Sequence, residues 1–328
     1  MTRSAPDGES PSQRLAMLTG APLPLVQSGM GGVAQARLAA AVAEAGAVGL
    51  IGLYRHTPEE IGHLLAEAAP LTDRPIGVNF VPFVLSEDEL EARLAVVLAQ
   101  VKRPLVTFFG LPSRRLLGRA AVHGTCGVQI GSLEDAENAF AGGADFVVLQ
   151  TPRAGGHHLG ALDHGSALAA MQDSRLAGRL VLLAGGIATP LDVAQAMAAG
   201  FAGVLCGTVF AAAAESHAHP AYKALIVGAQ PDDTVITDAF SIGWHSHRHR
   251  VIRNRSCDRS EPAGIIGSTC YFGKRYPILR YSVAVPTEAT EGAVAEMALY
   301  CGTSCAGVSV VEPARTIVSR LAGGLSLD

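Results

Sequence analysis

The chain of 328 residues is poor in charge and in aromatic side chains: only 16% of it is charged and 5% aromatic, with a single tryptophan, Trp244. A net charge of −4 leaves no basic field to attract nucleic acid. No apolar run approaches the roughly 18 residues that a membrane span requires. The first residues, Met1 to Gln13, lack the basic start and apolar centre of a signal peptide and read as a disordered lead-in, 1–14. None of the six cysteines forms a Cys-x-x-Cys pair, and a chain this long does not depend on disulfide staples, so reduced thiols in the cytoplasm are expected. What the chain has in quantity is apolar residues, 49%, and glycine, 37 residues, many of them where apolar segments end.

Eight short apolar segments recur: Pro24–Gln27, Val48–Leu53, Ile76–Phe80, Leu105–Phe109, Gly127–Ile130, Asp145–Gln150, Leu180–Ala184 and Gly203–Cys206. Most are continuous rather than alternating, as for parallel strands covered on both faces. Helix starts stand between them. Thr57-Pro-Glu-Glu60 and Ser86-Glu-Asp-Glu89 have capping-box spacing, and Ser132 and Thr189 open two more. Eight such units predict a TIM (β/α)8 barrel over 15–215. A doubly wound open sheet is the competing arrangement, but no Gly-x-Gly-x-x-Gly turn follows the first strand. The periodic pattern fades over 216–286, which reads as a lid or small domain over the barrel mouth. Helical patterns return at Glu291–Tyr300 and Val311–Leu321 and are expected to pack back on the barrel as a segment 287–328.

Three glycine turns follow three successive strands. They are Ala154-Gly155-Gly156-His157, Ala184-Gly185-Gly186-Ile187 and Cys206-Gly207-Thr208. Glycines allow a backbone to approach a flat or anionic ligand closely. The last two loops of a barrel commonly hold a phosphate, so Gly185, Gly186, Gly207 and Thr208 suggest a phosphate-bearing cofactor such as FMN. His157, ending a glycine loop at the catalytic rim, is the candidate base. Asn79, Gln129 and Gln150 close apolar segments with amides suited to the polar edge of a flavin ring. Met30, in Gln27-Ser-Gly-Met-Gly-Gly32, could line its face. His245, His247 and His249 alternate and would share one face of a strand, but no cysteine or carboxylate completes a metal set, so no metal is expected. Cys301 and Cys305 read as structural.

These motifs together resemble the nitronate monooxygenase family, formerly the 2-nitropropane dioxygenases, which is related to flavin-dependent enoyl-ACP reductases. The resemblance runs from about Pro24 to Leu321. It is carried by Pro24–Met30, Gly77-Val-Asn79, Ala154–His157, Ala184–Ile187, Gly207-Thr208, Gly243-Trp244 with His249-Arg250 and Arg253-Asn254, and Met297–Gly302. It implies noncovalent FMN, with His157 as base and oxygen completing conversion of a nitronate to a carbonyl compound and nitrite. Trp244, His249, Tyr300 and Ser304 become candidate substrate contacts, the substrate being a small molecule and a homodimer being possible. The chain departs from the family in two places. Gln150-Thr-Pro-Arg153 stands where members carry Gln-Gly-x-Glu, and Cys301-Gly-Thr-Ser-Cys305 where they often have Gly-Gln or Gly-Glu. Two alternatives therefore stay open: an NAD(P)H-dependent FMN enoyl-thioester reductase, and a flavin-dependent biosynthetic oxidase or lyase.

Overall fold

The computed structural model describes residues 8–244 and 248–326. Helix α1 (Pro11–Thr19) comes first, then eight parallel strands alternating with helices. The strands are β1 (Leu25–Gln27), β2 (Leu50–Gly52), β3 (Gly77–Phe80), β4 (Leu105–Phe109), β5 (Thr125–Ile130), β6 (Phe146–Gln150), β8 (Leu180–Ala184) and β9 (Gly203–Cys206), with the two-residue β7 (Gly156–His157) lying in the loop after β6. Their spatial order is β1-β9-β8-β6-β5-β4-β3-β2. A parallel bridge between Val26 and Val48 closes the ring, with Gln27 N donating to Val48 O and Val48 N to Leu25 O, both at 2.8 Å. The expected (β/α)8 barrel is the observed fold, and all eight expected apolar segments supply its strands.

Side-chain alternation explains why the strands read as unbroken apolar runs. Val26, Leu50, Val148, Leu180 and Leu182 fill the barrel interior, whereas their neighbours Leu25, Ile51, Val147, Leu149 and Val181 pack outward under the helices. Both directions are buried, so polarity does not alternate. The outer layer comprises α2 (Ala36–Glu44), α3 (Pro58–Ala68), α4 (Glu87–Gln100), α5 (Arg114–His123), α6 (Leu133–Ala141), α7 (His164–Ala169) and α8 (Pro190–Ala198), followed by the four-residue α9 (Thr208–Ala211). Thr57 with Glu60, Ser86 with Glu89 and Thr189 with Asp192 form complete capping boxes at α3, α4 and α8.

Two expectations need correction. Residues 11–14, assigned to a lead-in, form the first turn of α1: the Ser10 hydroxyl accepts from Gln13 N, the Gln13 side chain accepts from Ser10 N, and Pro11 begins the helix. The capping signature outweighs the Ser/Pro-rich composition because Leu15, fully buried, joins the side chains inside the barrel. The second correction is Glu291–Tyr300, which is not a helix. Gly292 takes φ +115° and pairs with Gly267, one short turn follows at Val294–Glu296, and Met297, Ala298, Leu299 and Cys301 are buried in extended chain. An apolar run buried on every side has no helical stripe to distinguish it.

The remaining elements build a cap. After α10 (Pro220–Gly228), β10 (Thr234–Thr237) and β11 (His249–Ile252) form an antiparallel sheet with β7. A second sheet contains β12 (Ile265–Tyr271), β13 (Lys274–Leu279) and β14 (Thr290–Gly292), in the order β13-β12-β14. Helix α11 (Ala314–Ala322) lies against the barrel, with Arg320 donating to the Ala188 carbonyl at 2.6 Å. No helix among the described residues is long and apolar enough to cross a membrane.

Candidate active site

The loops at the carboxyl ends of the strands enclose a cavity of about 580 Å³. Its floor is glycine backbone. Gly185 and Gly186 adopt φ +105° and +86°, conformations that side-chain-bearing residues rarely take. A Cβ on Gly185 would lie 2.5 Å from the Thr151 hydroxyl and 2.8 Å from Ala154 N, so the second glycine loop fits tightly under the first. Gly155 is as confined from the other side, since its Cβ would fall 2.5 Å from Gly302 N. Gly207 differs: nothing approaches its Cβ position more closely than 3.8 Å, so a side chain there would project into open cavity. The Thr208 hydroxyl accepts from Gly302 N at 2.9 Å and keeps its own proton to donate.

His157 stands on the wall above these loops. It is held by the cap rather than by the barrel alone, because β7 pairs with β11 through Gly156–Arg250 and His157–His249. Gln150 tightens the same turn: its amide nitrogen donates to His157 O and its carbonyl accepts from Leu159 N, both at 2.9 Å. Arg250 Nε donates to Pro152 O at 3.0 Å. The neighbouring His158 turns away and donates through Nε2 to Ala154 O at 2.9 Å; burial lowers its pKa.

Thirteen of the fourteen residues singled out for cofactor or substrate line the cavity with His157. From the barrel come Met30, Asn79, Gln129 and Gln150, then Gly155, Gly156, Gly185, Gly186, Gly207 and Thr208; from the cap come Trp244, Tyr300 and Ser304. His249 does not line it. It is fully buried behind His157, with ring centroids 5.1 Å apart, and its Nε2 accepts from Phe240 N at 3.3 Å. The expected substrate contact is therefore a support for the His157 strand. Gln150 also differs from expectation, since both ends of its amide serve the loop before any ligand is considered. Asn79 is braced by donation from Nδ2 to Thr107 Oγ1 at 2.9 Å. His245 and His247 lie outside the described residues, and no metal-holding cluster occurs among the described ones.

The cavity also has an aromatic and polar rim that is not among the expected site residues: Tyr54, Arg55, His56, Phe109, Tyr271 and Tyr276. Tyr54-Arg55-His56 directly follows the second strand segment, the position that marks Asn79 and Gln150, so the rule that found those two would have found it. Tyr271 carried no such signal, because only the β12–β13 hairpin brings it to the barrel, where its hydroxyl hydrogen-bonds His56 Nε2. Burial pushes the His56 pKa down to about 4, so it is a neutral imidazole at pH 7.

Comparison with known proteins accords with this geometry. The nitronate monooxygenase family matches residues 12–93 and 82–323. The chain belongs to the nitronate monooxygenase family, whose members are flavin-dependent oxidoreductases. It is 32% identical over 250 residues, 75% of this chain and 68% of the relative, to (3aS,4S,5R,7aS)-5-hydroxy-7a-methyl-1-oxo-octahydro-1H-indene-4-carboxyl-CoA dehydrogenase of Mycobacterium tuberculosis. The Rhodococcus jostii protein of the same name is 31% identical, and there the chain spans only 62% of the relative's length. A probable nitronate monooxygenase of Bacillus subtilis is 29% identical over 66% of this chain and 74% of its own. Among solved structures, FabK from Thermotoga maritima superposes with a TM-score of 0.79 at 27% identity, covering 95% of each chain. Nitroalkane oxidase from Streptomyces ansochromogenes gives 0.75 at 27% identity, covering 95% of this chain and 98% of that one.

The residues present fit the family's flavin. Among the described residues, the amides of Gly185, Gly186, Ile187 and Gly207 donate to no protein acceptor, and the space beside Gly207 is free. The departures from the family pattern also find places. Thr151 is buried, with its hydroxyl 3.5 Å from Gly185 O. The Arg153 side chain runs along Gly186, whose Cβ would lie 2.9 Å from Arg153 Cδ, while Arg153 O accepts from Thr303 N at 3.0 Å. Cys301 and Cys305 are buried free thiols behind the glycine loop; a hydrogen bond from Cys301 lowers the Cys305 pKa and the same contact raises that of Cys301.

Proposed function

We propose that the protein binds FMN noncovalently and oxidises a nitronate with oxygen to a carbonyl compound and nitrite, with His157 as the base. The observation that carries this reading is the placement of His157, fixed by the β7–β11 backbone ladder on the wall of a cavity floored by three glycine loops. Gly185, Gly186, Gly207 and Thr208 would hold the phosphate, and Met30, Asn79 and Gln129 the ring. When bound, the flavin supplies the electron acceptor. The chain supplies position: His157 removes the proton beside the nitro group, or holds the nitronate anion that results, and the cap residues Trp244 and Tyr300 exclude water. A cytoplasmic setting, and a homodimer if the chain assembles at all, belong to the same proposal.

A second reading has a specific observation behind it. The Mycobacterium tuberculosis relative is named as a dehydrogenase of an acyl-CoA. A thioester carbonyl also acidifies the adjacent C–H, so the same base and acceptor would serve an acyl thioester. Anaerobic titration of the yellow protein separates the readings. Ethylnitronate should reduce the flavin within seconds while NADPH and an acyl-CoA leave it oxidised. Bleaching by NADPH or by acyl-CoA alone would replace the nitronate reading with the thioester one.

A further inference from the structure

Trp244 is the single tryptophan of the chain, and it is buried at the cavity wall. Three planar rings lie nearly parallel at the cavity wall. The indole is inclined 10° to the His157 imidazole with centroids 3.8 Å apart, and 9° to the Tyr54 ring at 6.0 Å. Phe109 meets the indole edge-on, 5.6 Å away at 87°. All four side chains line the same cavity. The indole therefore fills a slot lined by the His157 imidazole in close stacking contact, by the near-parallel Tyr54 ring farther away and by the Phe109 ring edge-on. Stacked and edge-to-face contacts are the arrangements that aromatic rings favour, so the slot selects a flat conjugated group. A base works only within about 3 Å of the atom whose proton it takes. The indole, stacked on one imidazole face, occupies the space beside the ring that a flat group carried by the reacting carbon would need.

We propose that the slot the indole fills against His157, bordered by Tyr54 and Phe109, is a substrate subsite for a planar conjugated group attached to the acidic carbon, and that Trp244 fills it until such a substrate displaces the indole. The backbone is suited to this exchange. Gly243 precedes Trp244 at φ +101°, and its carbonyl is pinned by Tyr54 Oη and by Arg55, each donating at 3.0 Å. The main chain thus has a fixed point from which the side chain can turn. Burial raises the Tyr54 pKa, which keeps that wall an uncharged phenol. The inference rests on the proposed function only in taking His157 as the base.

Two measurements test it. Holoenzyme labelled with 5-fluorotryptophan gives one fluorine resonance, since there is one tryptophan. Under anaerobic conditions, saturating benzylnitronate, the anion of phenylnitromethane, should move that resonance to the position of a solvent-exposed tryptophan, whereas ethylnitronate should leave it in place. Benzylnitronate that perturbs the flavin spectrum without moving the fluorine signal overturns the proposal. The second measurement needs no turnover. Trp244→Ala should bind one indole, by calorimetry, and adding Tyr54→Leu should weaken that binding at least tenfold. Absence of indole binding to folded Trp244→Ala, or binding indifferent to Tyr54→Leu, also overturns it; if Trp244→Ala does not fold, the fluorine experiment on the intact chain decides. A flavin that responds to neither nitronate counts against the proposed function and not against the slot, which the indole result reads alone.

Discussion

Single side chains divide here into those that do chemistry and those that leave room for it. In the proposed function His157 belongs to the first group. General-base catalysis contributes about 10²–10⁴-fold, so His157→Asn should lower turnover by that order while the purified protein keeps its flavin. Steady-state rates beside the flavin-to-protein absorbance ratio check this, and full activity would remove His157 from the reaction. Gly207 belongs to the second group. Because its Cβ position meets no protein atom closer than 3.8 Å, Gly207→Leu should fold normally, with a melting temperature in the absence of flavin like that of the parent, yet bind flavin at least tenfold more weakly. Equal flavin content would place the phosphate elsewhere. His56 acts through what burial denies it. An unfolded histidine takes up a proton near pH 6.5, but the folded one resists down to about 4. Across that window the unfolded state binds more protons, so stability falls as pH falls, by about 2 kcal/mol between pH 7 and pH 5. Urea unfolding at the two pH values should show this loss, and His56→Gln should flatten it.

At the level of elements, the two-residue strand β7 joins barrel to cap. Arg250, one register position from His157 on β11, reaches back to Pro152 O and to Thr234 Oγ1, at 3.0 and 2.9 Å. Arg250→Leu leaves both acceptors without this donor, so it should cost about 1–3 kcal/mol in stability and lower kcat more than it raises KM, because the base loses its fixed position. Unchanged kinetics in a destabilised variant would confine Arg250 to folding. The same elements show what could be read from sequence. The barrel strands were legible because each is a short apolar run between capped helices. Leu15 was not, because Ser10-Pro-Ser-Gln13 reads as polar lead-in until its capping geometry is considered. Met297–Cys301 was not, because chain buried on all sides shows neither helical nor strand periodicity.

Over the whole molecule, the site is the place where two separately built layers meet. The barrel contributes loops that follow directly on strands, and those were legible by a single rule, that a polar or glycine residue ending an apolar segment faces the mouth. The cap contributes residues brought in from far along the chain. Tyr271 meets His56 across 215 positions, and His249 lies behind His157 instead of in the cavity; neither placement follows from local pattern. Family resemblance points to Trp244 and Tyr300 but not to the stack that Trp244 makes. In the proposed function these layers enclose a flavin site under His157. Extraction of the purified protein, with chromophore identified by mass and counted against chain concentration, tests it most directly. One FMN per chain is expected, regained on reconstitution after removal. A colourless protein that takes up no FMN when it is supplied would contradict it.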